Sequence, residues 1–213
     1  MDAKGIIDRL HWLGHDSFRI DGPPVVYFDP WKLRGPLPAA DLVLVSHEHH
    51  DHCSPDDVAK VSDHKTVIVA NAGAAAMLPG AQVVRPGDDL QVCGVRVEAV
   101  PAYNVTKFRA PGVPFHPSEA AHVGYIVTIE GVRVYFAGDT DYIPEMSSLR
   151  CDVALLPVSG IYTMTAEEAA EAARAINPQI AVPMHFGSGI GTLDDGERFR
   201  ALYGGVTILL AQE

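Results

Sequence analysis

DLVLVSHEHHDH, residues 41–52, is an apolar run that ends in four histidines and an aspartate within six positions. Leu42 to Val45 reads as a strand buried on both faces. If the chain stays extended past Ser46, side chains alternate with period two, so His47 and His49 point to one side. The chain must then turn before Ser54-Pro55, which open a helix with serine as N-cap and proline at the first position. That turn can carry Asp51 and His52 to a neighbouring position. Three neutral imidazoles and a carboxylate at such spacing suit zinc, manganese or iron. The HExxH alternative fails, because position 51 is aspartate where the second histidine should stand.

Working outward, short apolar segments bounded by Gly, Pro and Asp predict strands at 6–13, 17–20, 24–28, 41–46, 66–70, 81–84, 95–100, 152–156, 179–182 and 206–210, with a hairpin of 122–129 and 132–137 about Glu130-Gly131. Thr165 and Glu168 form a capping box ahead of AEEAAEAARAI, and Asn177-Pro178 end it, so 166–176 is a helix. Further helices are expected at 55–61, 72–78 and 195–203. The Pro- and Gly-rich stretch 101–121 has no regular pattern and reads as a functional loop. The sum is an α/β, mixed class with large sheets, folded as a single domain over 1–213. Two more metal-competent residues stand just past predicted strands: Asp139 in GDTD and His185 in PMHFG. Several strands delivering such residues past their C-terminal ends imply one shared site at a sheet edge.

With these residues in place, HEHHDH resembles the HxHxDH motif of the metallo-β-lactamase superfamily, and Asp139 and His185 resemble its later metal ligands. GHDSF, PAYN, FHP, GYIVTIEGVRVYFAGDTD, LLPV, YTMTAEEAA and PMHFG are similar to its small stand-alone hydrolases, in the branch of the ascorbate-6-phosphate lactonase-like proteins. The resemblance implies a four-layer αββα sandwich with one or two divalent ions, zinc first and Mn2+ or Fe2+ as alternatives. In that pattern His47, His49 and His116 hold one ion, Asp51, His52 and His185 the second, and Asp139 bridges them. One position departs from it: Asn104 stands where a histidine is expected. Either His116 reaches back from the loop or His122 completes the set, and His116 is favoured because His122 opens an apolar strand. His15 and Asp29, each after an early strand, resemble positions that orient a metal ligand.

The implied activity is metal-dependent hydrolysis of a small ester, lactone, thioester or phosphodiester, with Asp51 also able to accept a proton. A metal-binding scaffold or sensor, and a di-iron redox protein, are the competing readings; the second resembles a pattern with glutamate at position 49 and needs a flavin domain. No serine elbow competes, since Gly187-Ser188-Gly189 lacks the GxSxG spacing. Lys107 and Arg109 in the loop are expected to meet an anionic group of a small-molecule substrate.

Composition narrows the partners. The chain carries 16 Lys plus Arg against 27 Asp plus Glu, net -11, with no basic run, which argues against nucleic acid. Cys53, Cys93 and Cys151 form no CxxC pair, and neither a secretion signal nor a membrane span is legible, so a cytoplasmic setting is expected. The sequence leaves the oligomeric state open.

Overall fold

In a computed structural model, which describes residues 1–187 and 189–213, the chain builds two six-stranded sheets. Ser188, and with it the Gly187-Ser188-Gly189 comparison, lies outside the described residues. The first sheet comprises β1 (Leu10–Gly14), β2 (Ser17–Ile20), β3 (Val26–Phe28), β4 (Leu42–Val45), β5 (Val67–Asn71) and β6 (Gln82–Val84), paired in that order. From β3 to β6 the pairing is parallel. Its helices are α1 (Ala3–Ile7), α2 (Pro55–Val61) and α3 (Ala72–Ala75). The second sheet runs β14-β13-β12-β11-β8-β7, from β7 (Asp89–Val92), β8 (Val95–Pro101), β11 (Val123–Ile129), β12 (Val132–Phe136), β13 (Val153–Pro157) and β14 (Ile180–Met184). Here β12, β13 and β14 are parallel. Helices α4 (Ala166–Ile176) and α5 (Leu193–Tyr203) pack on it.

The period-two pattern of β4 explains the layering. Leu42 and Leu44 enter the core between the sheets, while Val43 and Val45 pack with Val58 and Val61 of α2 in a second cluster. Between the sheets, Phe28 stacks on Phe136 with ring centroids 4.9 Å apart, and Phe18 meets the edge of Phe136. The Tyr125 hydroxyl crosses the same gap and donates to the Val45 carbonyl at 2.8 Å. This helix, sheet, sheet, helix order is the four-layer sandwich anticipated above.

Five local expectations are corrected. Residues 6–13 are not one strand: the Asp2 side chain accepts from the Gly5 amide and caps a short helix, so the strand starts at Leu10. Residues 206–210 form no strand, since Thr207 bridges Ala181 of β14 alone. The 101–121 loop contains a hairpin, β9 (Phe108–Ala110) with β10 (Val113–Pro114), whose strands are too short to show a period. Helix α3 ends at Ala75, short of 78, and α5 begins at Leu193, two residues before its expected start.

Removing the ring at 136 leaves a void facing both Phe18 and Phe28, so Phe136→Ala should cost about 3–5 kcal/mol. Urea unfolding measures this, and a loss below ~1 kcal/mol would show that the sheets do not depend on this contact.

Candidate metal centre

The parallel strands of both sheets end on one side of the molecule, and the residues that follow them converge there. His15 and Asp16 follow β1, Asp29 follows β3, His47 follows β4, Asp139 follows β12, Ser159 follows β13 and His185 follows β14. Gly138 lets the sheets approach: its φ is +62°, and a Cβ there would lie 3.2 Å from Ser46 Cβ and from the Val123 carbonyl oxygen. His185, Asp29 and His15 are themselves left-handed, with φ of 58°, 40° and 55°. Such conformations in non-glycine residues persist where surrounding contacts hold them.

The histidine tautomers follow from the hydrogen bonds. Asp29 accepts from the Ser46 amide at 2.7 Å, from Ser46 Oγ at 2.6 Å and from His52 Nδ1 at 2.8 Å. Because the Ser46 proton goes to Asp29, His47 Nδ1 must donate to Ser46 Oγ, 2.8 Å away. Asn104 Oδ1 accepts from the His116 amide at 2.7 Å and from His116 Nδ1 at 2.9 Å, while Asn104 Nδ2 donates to Tyr162 O and Asp141. His47, His52 and His116 therefore each carry a proton on Nδ1 and, as neutral rings, present a bare Nε2.

Those lone pairs point at other lone pairs. His47 Nε2 lies 3.0 Å from His49 Nδ1, His116 Nε2 lies 3.2 Å from Asp139 Oδ2, and His52 Nε2 and His185 Nε2 each lie 3.4 Å from Asp139 Oδ1. Asp139 Oδ1, His52 Nε2, His185 Nε2 and both Asp16 oxygens are buried with no hydrogen-bond partner. Uncompensated burial of this kind is costly, and a cation between the groups removes the conflict. The spacings suit one: a tetrahedron with ~2.1 Å bonds, as zinc makes to nitrogen and oxygen, has edges of about 3.4 Å. Among the described residues four overlapping groups could hold an ion, and two of them that share no residue are His47 with His49 and His116, and Asp16 with His52, Asp139 and His185.

The electrostatics call for positive charge at the same place. Burial pushes the Asp16 carboxyl up to about 8 and holds His47 well below the usual imidazole range. Burial also opposes charge on His52 and His185, yet Asp139, joined by Asp29 at His52 and by Asp16 at His185, outweighs it and raises both, so these rings draw a positive charge, as a proton or a metal ion. Asp139 is held well below the usual carboxylate range because His185 and His52 outweigh its own burial.

Of the seven residues singled out in the sequence, six fall into these two groups. Asp51 does not. The amides of His52 and Cys53 both return to the His49 carbonyl, and this turn directs Asp51 Oδ2 to within 3.3 Å of His15 Nε2 on the cavity wall. His122 also stands apart, 3.4 Å from Glu48 Oε1. Asn104, read as a departure, instead aims His116. Lys107 does not face the cavity, since its ammonium is bound to Glu168 at 2.6 Å; Arg109 donates to the Phe115 carbonyl. Asp16 was missed because an aspartate in a tight turn such as GHDSF is unremarkable by type. Its position just past β1 is the signal that would have found it.

A family model described as beta-lactamase superfamily domain matches residues 9–185. The chain belongs to this family. Among its relatives, a UPF0173 metal-dependent hydrolase of Methanoculleus marisnigri is 39% identical over 185 residues, covering 84% of this chain and 80% of the relative. One of Thermoplasma acidophilum is 34% identical over 216 residues, covering 93% and 92%. A crystal structure from Parabacteroides distasonis, given a provisional metal-dependent hydrolase description, is 34% identical with a TM-score of 0.85, covering 96% of this chain and 93% of its own.

The Asn104 network yields a prediction. Asn104→Ala frees His116 to rotate and should weaken binding of the first divalent ion about 10–100-fold, as loss of such supporting hydrogen bonds does elsewhere. Competition against a chromophoric chelator measures it, with circular dichroism as the folding control; unchanged affinity would remove Asn104 from the site.

Proposed function

We propose that the chain is a metal-dependent hydrolase that cleaves a small ester, lactone, thioester or phosphodiester with two divalent ions, zinc in the first instance. The observation that carries this reading is the set of bare Nε2 atoms converging on the Asp139 carboxylate. His47, His49 and His116 would hold one ion, His52, His185 and Asp16 the other, with Asp139 between the two groups. Ions so held supply Lewis acidity, making water a nucleophile near neutral pH and polarising a carbonyl or phosphoryl oxygen.

The chain's own residues account for the rest. Ser46, Asp29 and Asn104 fix which imidazole nitrogen is bare, so the ligands need no reorganisation when they bind. Ser159 Oγ, 2.9 Å from His185 Nδ1, does the same at β14. Asp51 lines a cavity of about 420 Å³ together with His49, His116, Asp139, Phe115 and Tyr162. Although burial opposes its charge, the contact with His15 and the nearby His52 keep Asp51 ionised, below the usual carboxylate range. An ionised Asp51 accepts a hydrogen bond from the attacking water and orients it. Phe115 and Tyr162, edge to face at 4.8 Å, give the cavity an apolar side for the organic part of the substrate.

The relatives named metal-dependent hydrolases support hydrolysis over a silent scaffold. A small substrate fits the cavity volume. The free thiols Cys53, Cys93 and Cys151 suit a reducing, cytoplasmic setting. Among the described residues no helix is long and apolar enough to cross a membrane.

A panel of nitrophenyl esters, thioesters, lactones and phosphodiesters, assayed before and after chelation, tests the reading. At least one class should be turned over, lose activity on chelation and regain it with zinc. Iron binding without hydrolysis would contradict it. Asp16→Asn keeps the side-chain shape but removes a negative ligand, and should lower the bound zinc from two equivalents towards one by elemental analysis; two retained equivalents would exclude Asp16 as a ligand.

A further inference from the structure

A second cavity of about 500 Å³ adjoins the metal-side cavity, and Trp31 and Lys32 form part of the wall of both. Arg34 also lines it. Among the described residues, ion pairs engage Lys4, Lys60 and Lys107 but neither Lys32 nor Arg34. The one carboxylate on this wall, Glu213, is committed elsewhere, with oxygens 2.5 Å from His11 Nδ1 and 3.6 Å from Arg19 Nη2. On a chain of net charge -11, two cations without carboxylate partners thus border the site.

Lys32 is also held in place. Its φ is +50°, a conformation glycine adopts at less cost. Asp57, the buried carboxylate in the first turn of α2, accepts from the Lys32 amide at 2.8 Å and from the Leu33 amide at 3.1 Å. Asp57 is fixed in turn by Ser54 Oγ and Lys60 Nζ. The ammonium lies over Trp31, 3.9 Å from its ring centroid. A left-handed turn clamped by a buried carboxylate, rather than a freely moving loop, presents this charge where the two cavities meet.

We infer that Lys32, backed by Arg34, is a specificity-determining residue that binds an anionic group of the substrate remote from the scissile bond. The preferred substrates then carry a carboxylate or phosphate on an arm that leaves the metal-side cavity past Trp31 and enters the second cavity. This takes the role expected of Lys107 and Arg109, whose groups are bound to Glu168 and to a backbone carbonyl. A charge-assisted contact at a partly open site gives roughly a tenfold gain in affinity.

The inference rests on the two-ion reading, and its test is a binding measurement that separates the two. Zinc-treated protein is titrated with butyrate and with the dicarboxylates succinate, glutarate and adipate, followed by ligand-detected NMR. The best dicarboxylate should bind at least tenfold more tightly than butyrate. Lys32→Met should reduce that ratio to within twofold, while Lys65→Met, at the opposite end of β5, should keep it. A ratio near one in the unaltered protein, or a ratio that survives Lys32→Met, would overturn the proposal. Replacing glutarate by 4-phosphonobutyrate distinguishes the two anions, the tighter ligand naming the preferred group. Whether butyrate binding itself requires zinc judges the two-ion reading independently.

Discussion

The Asp29 carboxylate, fully buried behind the metal-competent side chains, is the contact from which the site is organised. It accepts the Ser46 amide, the Ser46 hydroxyl and His52 Nδ1 together, and its own amide donates to the Leu44 carbonyl at 3.0 Å. One carboxylate thereby ties the end of β3 to the end of β4, fixes His52, and through the serine proton fixes His47. Two bare nitrogens in the two groups depend on it. Burial raises Asp29, while its bonds to His52 and Ser46 pull it back down. Without these donors it would be an isolated buried charge, among the costliest groups in a protein interior.

The second sheet supplies the opposing half. Asp139 reaches the imidazoles because Gly138 has no side chain to strike Ser46, and because Tyr125 and the stacked Phe28 and Phe136 set the sheet separation. Packing energy thus bears on chemistry through spacing. A sheet displaced by half an ångström would move Asp139 relative to both histidine groups at once. Such tolerance is what a preorganised site requires of its scaffold.

Much of this was legible in the residues. HEHHDH, GDTD and PMHFG each sit past an apolar run, and strand-end placement alone converges five metal-competent side chains, His47, His49, His52, Asp139 and His185. His116 was identifiable as the loop histidine, because Asn104 left a gap to fill. Other features depend on three-dimensional contacts that carry no pattern. Asp16 looks like a turn residue until both its oxygens prove buried and unpartnered. Lys107 looks available until Glu168, 61 positions later, is found holding it. The hairpin at 108–114 is too short for periodicity, and Thr207 pairs with β14 at a single residue. In each case tertiary partners, not local propensity, decide the outcome.

The central proposal is that two groups of side chains meeting at Asp139 each hold a metal ion. Anomalous diffraction at the zinc edge from crystals of zinc-loaded protein tests it most directly. The account predicts two peaks flanking Asp139, one among His47, His49 and His116 and the other among His52, His185 and Asp16. A single peak shared by all of these residues, or peaks away from Asp139, would contradict it.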